Sequence, residues 1–153
     1  ILATRIQQEL EPEQVHGVDM SEGMLAQAKV RSSLVDWQFA PAEKLPFGDG
    51  SLDAVVSTSA FHFFDQPAAL AEFHRVLAPG GFTAITTFTP DRASAPILRR
   101  VFGDRVPASV PSKAEMRQMF EDAGFEVAVQ RPVHHPFTLP FVEFDRLTVG
   151  IKR

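Results

Sequence analysis

Residues 42–88 read AEKLPFGDGSLDAVVSTSAFHFFDQPAALAEFHRVLAPGGFTAITTF. Phe47-Gly48-Asp49-Gly50-Ser51 is turn chemistry. Residues 52–57 are a short apolar run, broken only by Asp53 and carrying the pair Val55-Val56. Such a run between turns predicts a strand covered on both faces. Residues 66–77 put Leu70, Phe73, Val76 and Leu77 on one helical stripe. Pro79-Gly80-Gly81 predicts the stop of that helix. Residues 82–88 mix Phe, Ala, Ile and β-branched Thr, which is strand composition. Strand, helix and strand in this order make a βαβ unit with parallel strands and a right-handed connection.

The same alternation extends outward. Residues 1–10 place Leu2, Ile6 and Leu10 at i, i+4 and i+8, an amphipathic helix closed by Glu11-Pro12-Glu13. Residues 15–19 predict a short strand ending in Asp19. Ser21 is the expected N-cap of a helix running to about Arg31, with Met24, Leu25 and Ala28 inward. Residues 35–40 predict the next strand. Pro, Arg and Ala enrich residues 90–111, a cap-like connection with a short helix expected at 95–102. Ser112-Lys113-Ala114-Glu115 is a capping box opening a helix closed by Gly124. Residues 125–130 predict a strand, and 141–153 read as helix or strand. The fold class expected is α/β: one Rossmann-like, mostly parallel sheet with helices on both faces. In such sheets ligands bind beyond the carboxyl ends of the strands. Asp19, Pro41-Ala42 and Ser57-Thr58 all stand at such ends.

Ala42-Glu43-x-Leu45-Pro46-Phe47, Ser51-Leu52-Asp53-x-Val55-Val56, Phe61-His62-x-Phe64 and His74-Arg75-Val76-Leu77-x-Pro79-Gly80-Gly81 follow one another at set spacings. This succession resembles the class I S-adenosylmethionine-dependent methyltransferases, in the small-molecule branch related to ubiquinone and menaquinone biosynthesis, and covers about residues 1–130. The resemblance implies S-adenosylmethionine as cofactor and methyl transfer to O, N or C of a small molecule. It implies that Asp19 accepts hydrogen bonds from the ribose hydroxyls, and Met20, which follows it, is read as a contact for the adenine face. Pro41, Ala42 and Glu43 fall in the family's adenine loop, with the Ala42 N–H reaching a ring nitrogen. Pro41 departs from the Asp usual there, which removes a side-chain acceptor. The resemblance implies that the strand end at Ser57 and Thr58 faces the methionine part of the cofactor, although a plain strand end reads the same. The family's first strand and its Gly-x-Gly loop have no counterpart here. The chain is therefore read as a single, N-terminally truncated domain over 1–153, with poor stability and weak cofactor binding expected when isolated.

His62 is the candidate catalytic residue. A methyl donor that is already electrophilic needs mainly in-line positioning. A base is required only where the acceptor must lose a proton, and histidine suits that role near neutral pH. The competing reading is a packed histidine among Phe61, Phe63 and Phe64. Asp19 likewise reads either as the ribose acceptor or as a helix-starting acid, and Met20 as adenine contact or core. His134-His135 point to opposite faces if on a strand, and no spaced cluster accompanies them, so no metal is expected. Arg92, Arg99, Arg100 and Arg105 form a basic patch that reads as an acidic-substrate site or a solvated face.

Composition bounds the alternatives. Net charge is −4 and the pI about 5.7, which argues against a nucleic-acid footprint. No apolar run reaches the roughly 18 residues of a membrane span. There is no cysteine, so disulfides and thiol catalysis are excluded, and a cytoplasmic location is expected. Two other functional classes stand beside methyl transfer. One is an NAD-dependent dehydrogenase, which the 42–47 loop and the 74–81 turn fit poorly. The other is a non-catalytic binding or scaffolding remnant, suggested by Pro41 and the missing loop.

Overall fold

The computed structural model describes residues 2–88, 111–133 and 145–153. The expected connection at 90–111, apart from Pro111, lies outside these, with its helix and its four arginines. So do His134-His135 and residues 141–144. The chain divides into two compact units, Ile1–Gly48 and Asp49–Arg153.

The first unit contains α1 (Leu2–Leu10), β1 (His16–Asp19), α2 (Glu22–Arg31) and β2 (Asp36–Phe39). β1 and β2 are parallel, in register from His16–Asp36 to Asp19–Phe39. α2 starts where the sequence predicts. The Ser21 hydroxyl accepts from the Met24 N–H at 3.3 Å, with Glu22 in the first turn and Lys29 and Arg31 in the last, a charge order that complements the helix dipole. Leu25 is 6% exposed, but Met24 is 53% exposed and not on the inner face. Neighbouring helical positions lie about 100° apart, and Leu25 with half-buried Ala28 takes the sheet side. Gly17 is a close-approach position. A Cβ there would overlap Cε3 and Cζ3 of Trp37, its register partner. The Trp37 indole lies over that gap and donates Nε1–H to the Ser32 carbonyl at 3.0 Å.

The second unit contains β3 (Leu52–Thr58), a 3₁₀ turn at Phe61–Phe63, α3 (Gln66–Val76), β4 (Leu77–Phe88), α4 (Lys113–Asp122), β5 (Phe125–Val133) and β6 (Asp145–Lys152). The strand order is β3-β4-β6-β5. β3 and β4 are parallel, while β6 is antiparallel to both β4 and β5. Three strands thus run one way and β6 alone is reversed, the mostly parallel arrangement expected of the fold class. The ambiguous C-terminal stretch resolves as this reversed strand.

Local chemistry sets the boundaries. Asp65 caps α3 through the Ala68 N–H at 3.3 Å. The helix ends at Leu77, which is extended (φ −73°, ψ 138°) and donates its N–H to Phe73. That is earlier than the expected stop at Pro79-Gly80-Gly81, because Pro79 already disfavours helical backbone at Ala78. The Pro-Gly-Gly tripeptide falls inside the span of β4. α4 has its full capping box: Glu115 N–H to Ser112 Oγ at 3.3 Å, and Ser112 N–H to Glu115 Oε2 at 2.7 Å.

The core of this unit is Phe61, Leu70, Val76, Leu77, Ile85, Met116 and Phe120, all at most 1% exposed. It sits between α3, α4 and one face of the sheet, where Phe120 fills the space left by Gly150. The other face is different. Val56 is 40%, Phe82 41% and Val129 39% exposed. The expectation that β3 is covered on both faces is therefore corrected. Val55 and Ser57 are half-buried, whereas Ala54, Val56 and Thr58 are exposed. Among the described residues of this unit, both α-helices pack on the Ile85 side.

Candidate functional site

The carboxyl ends of β1 and β2 hold most of the candidates. Asp19 closes β1 and is exposed. Its Oδ1 accepts the Ser21 N–H at 2.8 Å, so this carboxylate does help start α2. Its second oxygen is left for other donors, since an ionised carboxylate has about four acceptor positions. Met20 follows at 62% exposure. Phe39, the register partner of Asp19, is 60% exposed beside it. The sequence reading passed over Phe39. The signal available was the alternation Trp37-x-Phe39, which puts two rings on one face of a short strand.

The loop after β2 is a tight turn. Lys44 N–H donates to the Pro41 carbonyl at 3.2 Å, and Ala40 N–H to the Asp19 carbonyl at 3.4 Å. Pro41, Ala42 and Glu43 are half-buried. The Ala42 N–H has no partner among the described residues. It is a donor in the position where the resemblance calls for one. The amino ends of the same strands are closed off differently. There His16 Nδ1 and Asp36 Oδ2 are 2.9 Å apart, and the His16 ring meets Phe47 at 4.9 Å. Hydrogen bonds from Gln38 and His16 hold the Asp36 carboxyl below the usual carboxylate range.

In the second unit, Ser57 and Thr58 finish β3 in register with Ile85 and Thr86. Ser59 follows at φ +52° and donates its N–H to the Thr86 carbonyl at 3.1 Å. A left-handed serine costs on the order of 1 kcal/mol and marks an abrupt exit from the strand. Phe61 is fully buried and anchors the 3₁₀ turn, and Phe63 is 80% exposed. Between them His62 is half-buried and meets the Phe63 ring at a tilt of 46°, with centroids 4.0 Å apart. Burial holds its imidazole below the usual histidine range.

Two motif residues prove to be structural staples. Arg75 Nε and Nη2 bond Glu72 at 2.8 and 2.7 Å, Nη1 bonds Asp49 at 2.6 Å, and its carbonyl accepts the Gly50 N–H at 2.9 Å. That ties α3 to the turn before β3. His74 packs on Phe125 at 5.2 Å, and Lys152 donates to the carbonyls of His74 and Leu77 at 2.7 and 2.8 Å, capping the end of α3. Among the described residues no group of three or more His, Cys, Asp or Glu could hold a metal ion.

Residues 2–85 match the family model of the methyltransferase domain. The chain belongs to the class I S-adenosylmethionine-dependent methyltransferases. It is 33% identical to the demethylmenaquinone methyltransferase of Thermus thermophilus over 153 aligned residues, which cover 82% of this chain and 70% of that protein. It is 33% identical to the biotin biosynthesis bifunctional protein BioHC of Teredinibacter turnerae over 84 residues, 50% of this chain but only 15% of that protein. Among solved structures, a methyltransferase of Thermotoga maritima described as a possible histamine N-methyltransferase superposes with a TM-score of 0.73 at 27% identity, over 99% of this chain and 78% of that one. The chain thus spans between 15% and 78% of the length of these relatives. Among the described residues no helix is long and apolar enough to cross a membrane.

Proposed function

We propose that this domain transfers a methyl group from S-adenosylmethionine to a small-molecule acceptor, and that Asp19 is its ribose acceptor. The observation that carries the reading is at the carboxyl ends of β1 and β2. There an exposed carboxylate and a loop stand on the same strand pair, and among the described residues one carboxylate oxygen and the Ala42 N–H of that loop have no partner. These groups fit the two ends of adenosine: vicinal hydroxyls donate to a carboxylate, and a purine nitrogen accepts from a backbone N–H. Met20 and its exposed thioether supply an apolar surface for the base, with Pro41 and Glu43 framing the loop. Pro41 brings no side-chain acceptor for the adenine amino group, so the base is held by main chain and packing.

When bound, S-adenosylmethionine supplies a methyl group activated by its sulfonium. The residues of the second unit have separate roles. Ser57 and Thr58 present a short-side-chain strand end to the methionine part. His62, beside the exposed Phe63 ring, is the polar group offered to the acceptor. Positioning is the main catalytic device for such a reaction. The cysteine-free sequence supports a cytoplasmic setting.

Calorimetric titration with S-adenosylhomocysteine and with NADH tests the reading. Binding of the first and not the second is expected. The reverse would replace methyl transfer by hydride transfer. Binding without turnover on any acceptor would favour a non-catalytic remnant.

A further inference from the structure

His62 Nδ1 is buried and meets no hydrogen-bond partner among the described residues, in a side chain that is half-buried as a whole. Phe63 covers one side of the ring at 4.0 Å. Desolvation is the whole cause of its lowered pKa, with no charged neighbour contributing, so the imidazole is neutral near pH 7. A neutral imidazole carries one proton on one of its two nitrogens. In a histidine built as a general base, a carboxylate or carbonyl holds Nδ1–H, and Nε2 then presents its lone pair. Among the described residues no such group stands at Nδ1. A proton on Nδ1 would be a buried N–H with no acceptor, the rarer and costlier defect. A proton on Nε2 leaves only a buried lone pair.

We propose that His62 acts as a hydrogen-bond donor through Nε2–H rather than as a proton acceptor, and that the molecule it faces presents an oxygen already free of its proton, of the phenolate, enolate or carboxylate class. The inference rests on the methyl-transfer reading and narrows its substrate class. A neutral hydroxyl or amine leaves a proton behind when it is methylated, and some group must take it. An acceptor that arrives as an anion forms its new bond to carbon and ends neutral, while the electron pair of the broken carbon–sulfur bond stays on sulfur. No proton remains for His62 to remove. A donor aimed at the anion positions it and costs nothing in protonation state, because Nε2–H persists when the ring is protonated.

The test is the imidazole ¹⁵N spectrum of the uniformly labelled chain at about pH 7.5, with the His62 signals assigned by their loss in His62→Gln. The expected result is a protonated Nε2 and a bare Nδ1. A protonated Nδ1 with a bare Nε2 overturns the proposal. The acceptor class is tested with 4-nitrophenolate as probe. His62→Ala should weaken its binding by about tenfold, and His62→Gln should restore it to within about threefold, since the amide N–H can take the donor's place. Equal loss in both variants, or no binding by the wild-type chain, overturns the anionic class. Neither readout uses turnover. Failure to bind S-adenosylhomocysteine would defeat the methyl-transfer reading while the tautomer result stood separately.

Discussion

Asp19 makes one structural hydrogen bond and is proposed to make a second set to ribose, and the two can be separated. One oxygen holds the Ser21 N–H at 2.8 Å, and the other is proposed to hold ribose. Asp19→Ala should weaken S-adenosylhomocysteine binding by about 2 kcal/mol, the cost of losing a charged hydrogen-bond acceptor. Asp19→Asn keeps an oxygen for Ser21 and should lose less. Calorimetry decides: unchanged affinity in Asp19→Ala would remove Asp19 from the site. Its position at a strand end was legible because an acid and a capped helix follow one another in the sequence. Gly17 was not legible. Nothing in the local pattern says that the Trp37 ring, twenty residues on, would lie across it. The unpartnered Nδ1 of His62 was equally hidden, because a hydrogen-bond vacancy is a property of the packed turn and not of the residues Phe61-His62-Phe63.

His74 gives a titratable residue away from the candidate site. Burial first, and the Lys152 ammonium second, hold its imidazole below the usual histidine range, against an opposing hydrogen bond to the Gly124 backbone. The neutral Phe125 ring packs against it. A folded-state pKa below 6.5 means that the unfolded chain binds the proton more readily. The stability that neutral His74 contributes is present above about pH 6.5 and erodes as pH falls below it. The wild-type urea midpoint should therefore drop between about pH 7 and pH 5, and His74→Gln should shrink that drop. His62 shifts in the same direction and leaves a residual slope. An unchanged or rising wild-type midpoint over this window would contradict the account.

At the scale of elements, caps were read well and burial was read poorly. The Ser21 cap and the Ser112–Glu115 box were visible because capping depends on residues three apart. Whether both faces of β3 are covered depends on where distant helices pack, and the valine pair carried no information on that. The reversed β6 was hidden for a related reason, since direction is set by partners far along the chain. Strand β6 also carries a prediction. Thr148 and Thr83 are fully buried, and their hydroxyls have no hydrogen-bond partner among the described residues. An unsatisfied buried hydroxyl costs on the order of 1–3 kcal/mol, and valine has the same shape. Thr148→Val should raise stability by about 1 kcal/mol in urea or thermal unfolding. A loss of stability would mean that the hydroxyl is satisfied, for instance by a buried water.

At the scale of the whole molecule, the βαβ periodicity foretold the α/β class, and the ordered motifs foretold the family that the comparisons establish. Arg75 and His74 show how part of that motif set is spent on architecture. Arg75 ties α3 to the turn before β3 and His74 packs on Phe125, so their presence in the sequence signals the fold more than the chemistry. The chemistry is proposed for the strand ends, and there the central claim can be tested directly. The measurement is a ¹H–¹⁵N spectral titration with S-adenosylhomocysteine. Amide signals of Met20, Ser21, Ala42 and Glu43 should shift together and saturate, while those of His16 and Asp36, at the opposite ends of β1 and β2, should stay in place. Saturable binding that leaves Met20 and Ala42 unmoved, or that shifts the His16–Asp36 end instead, would contradict it.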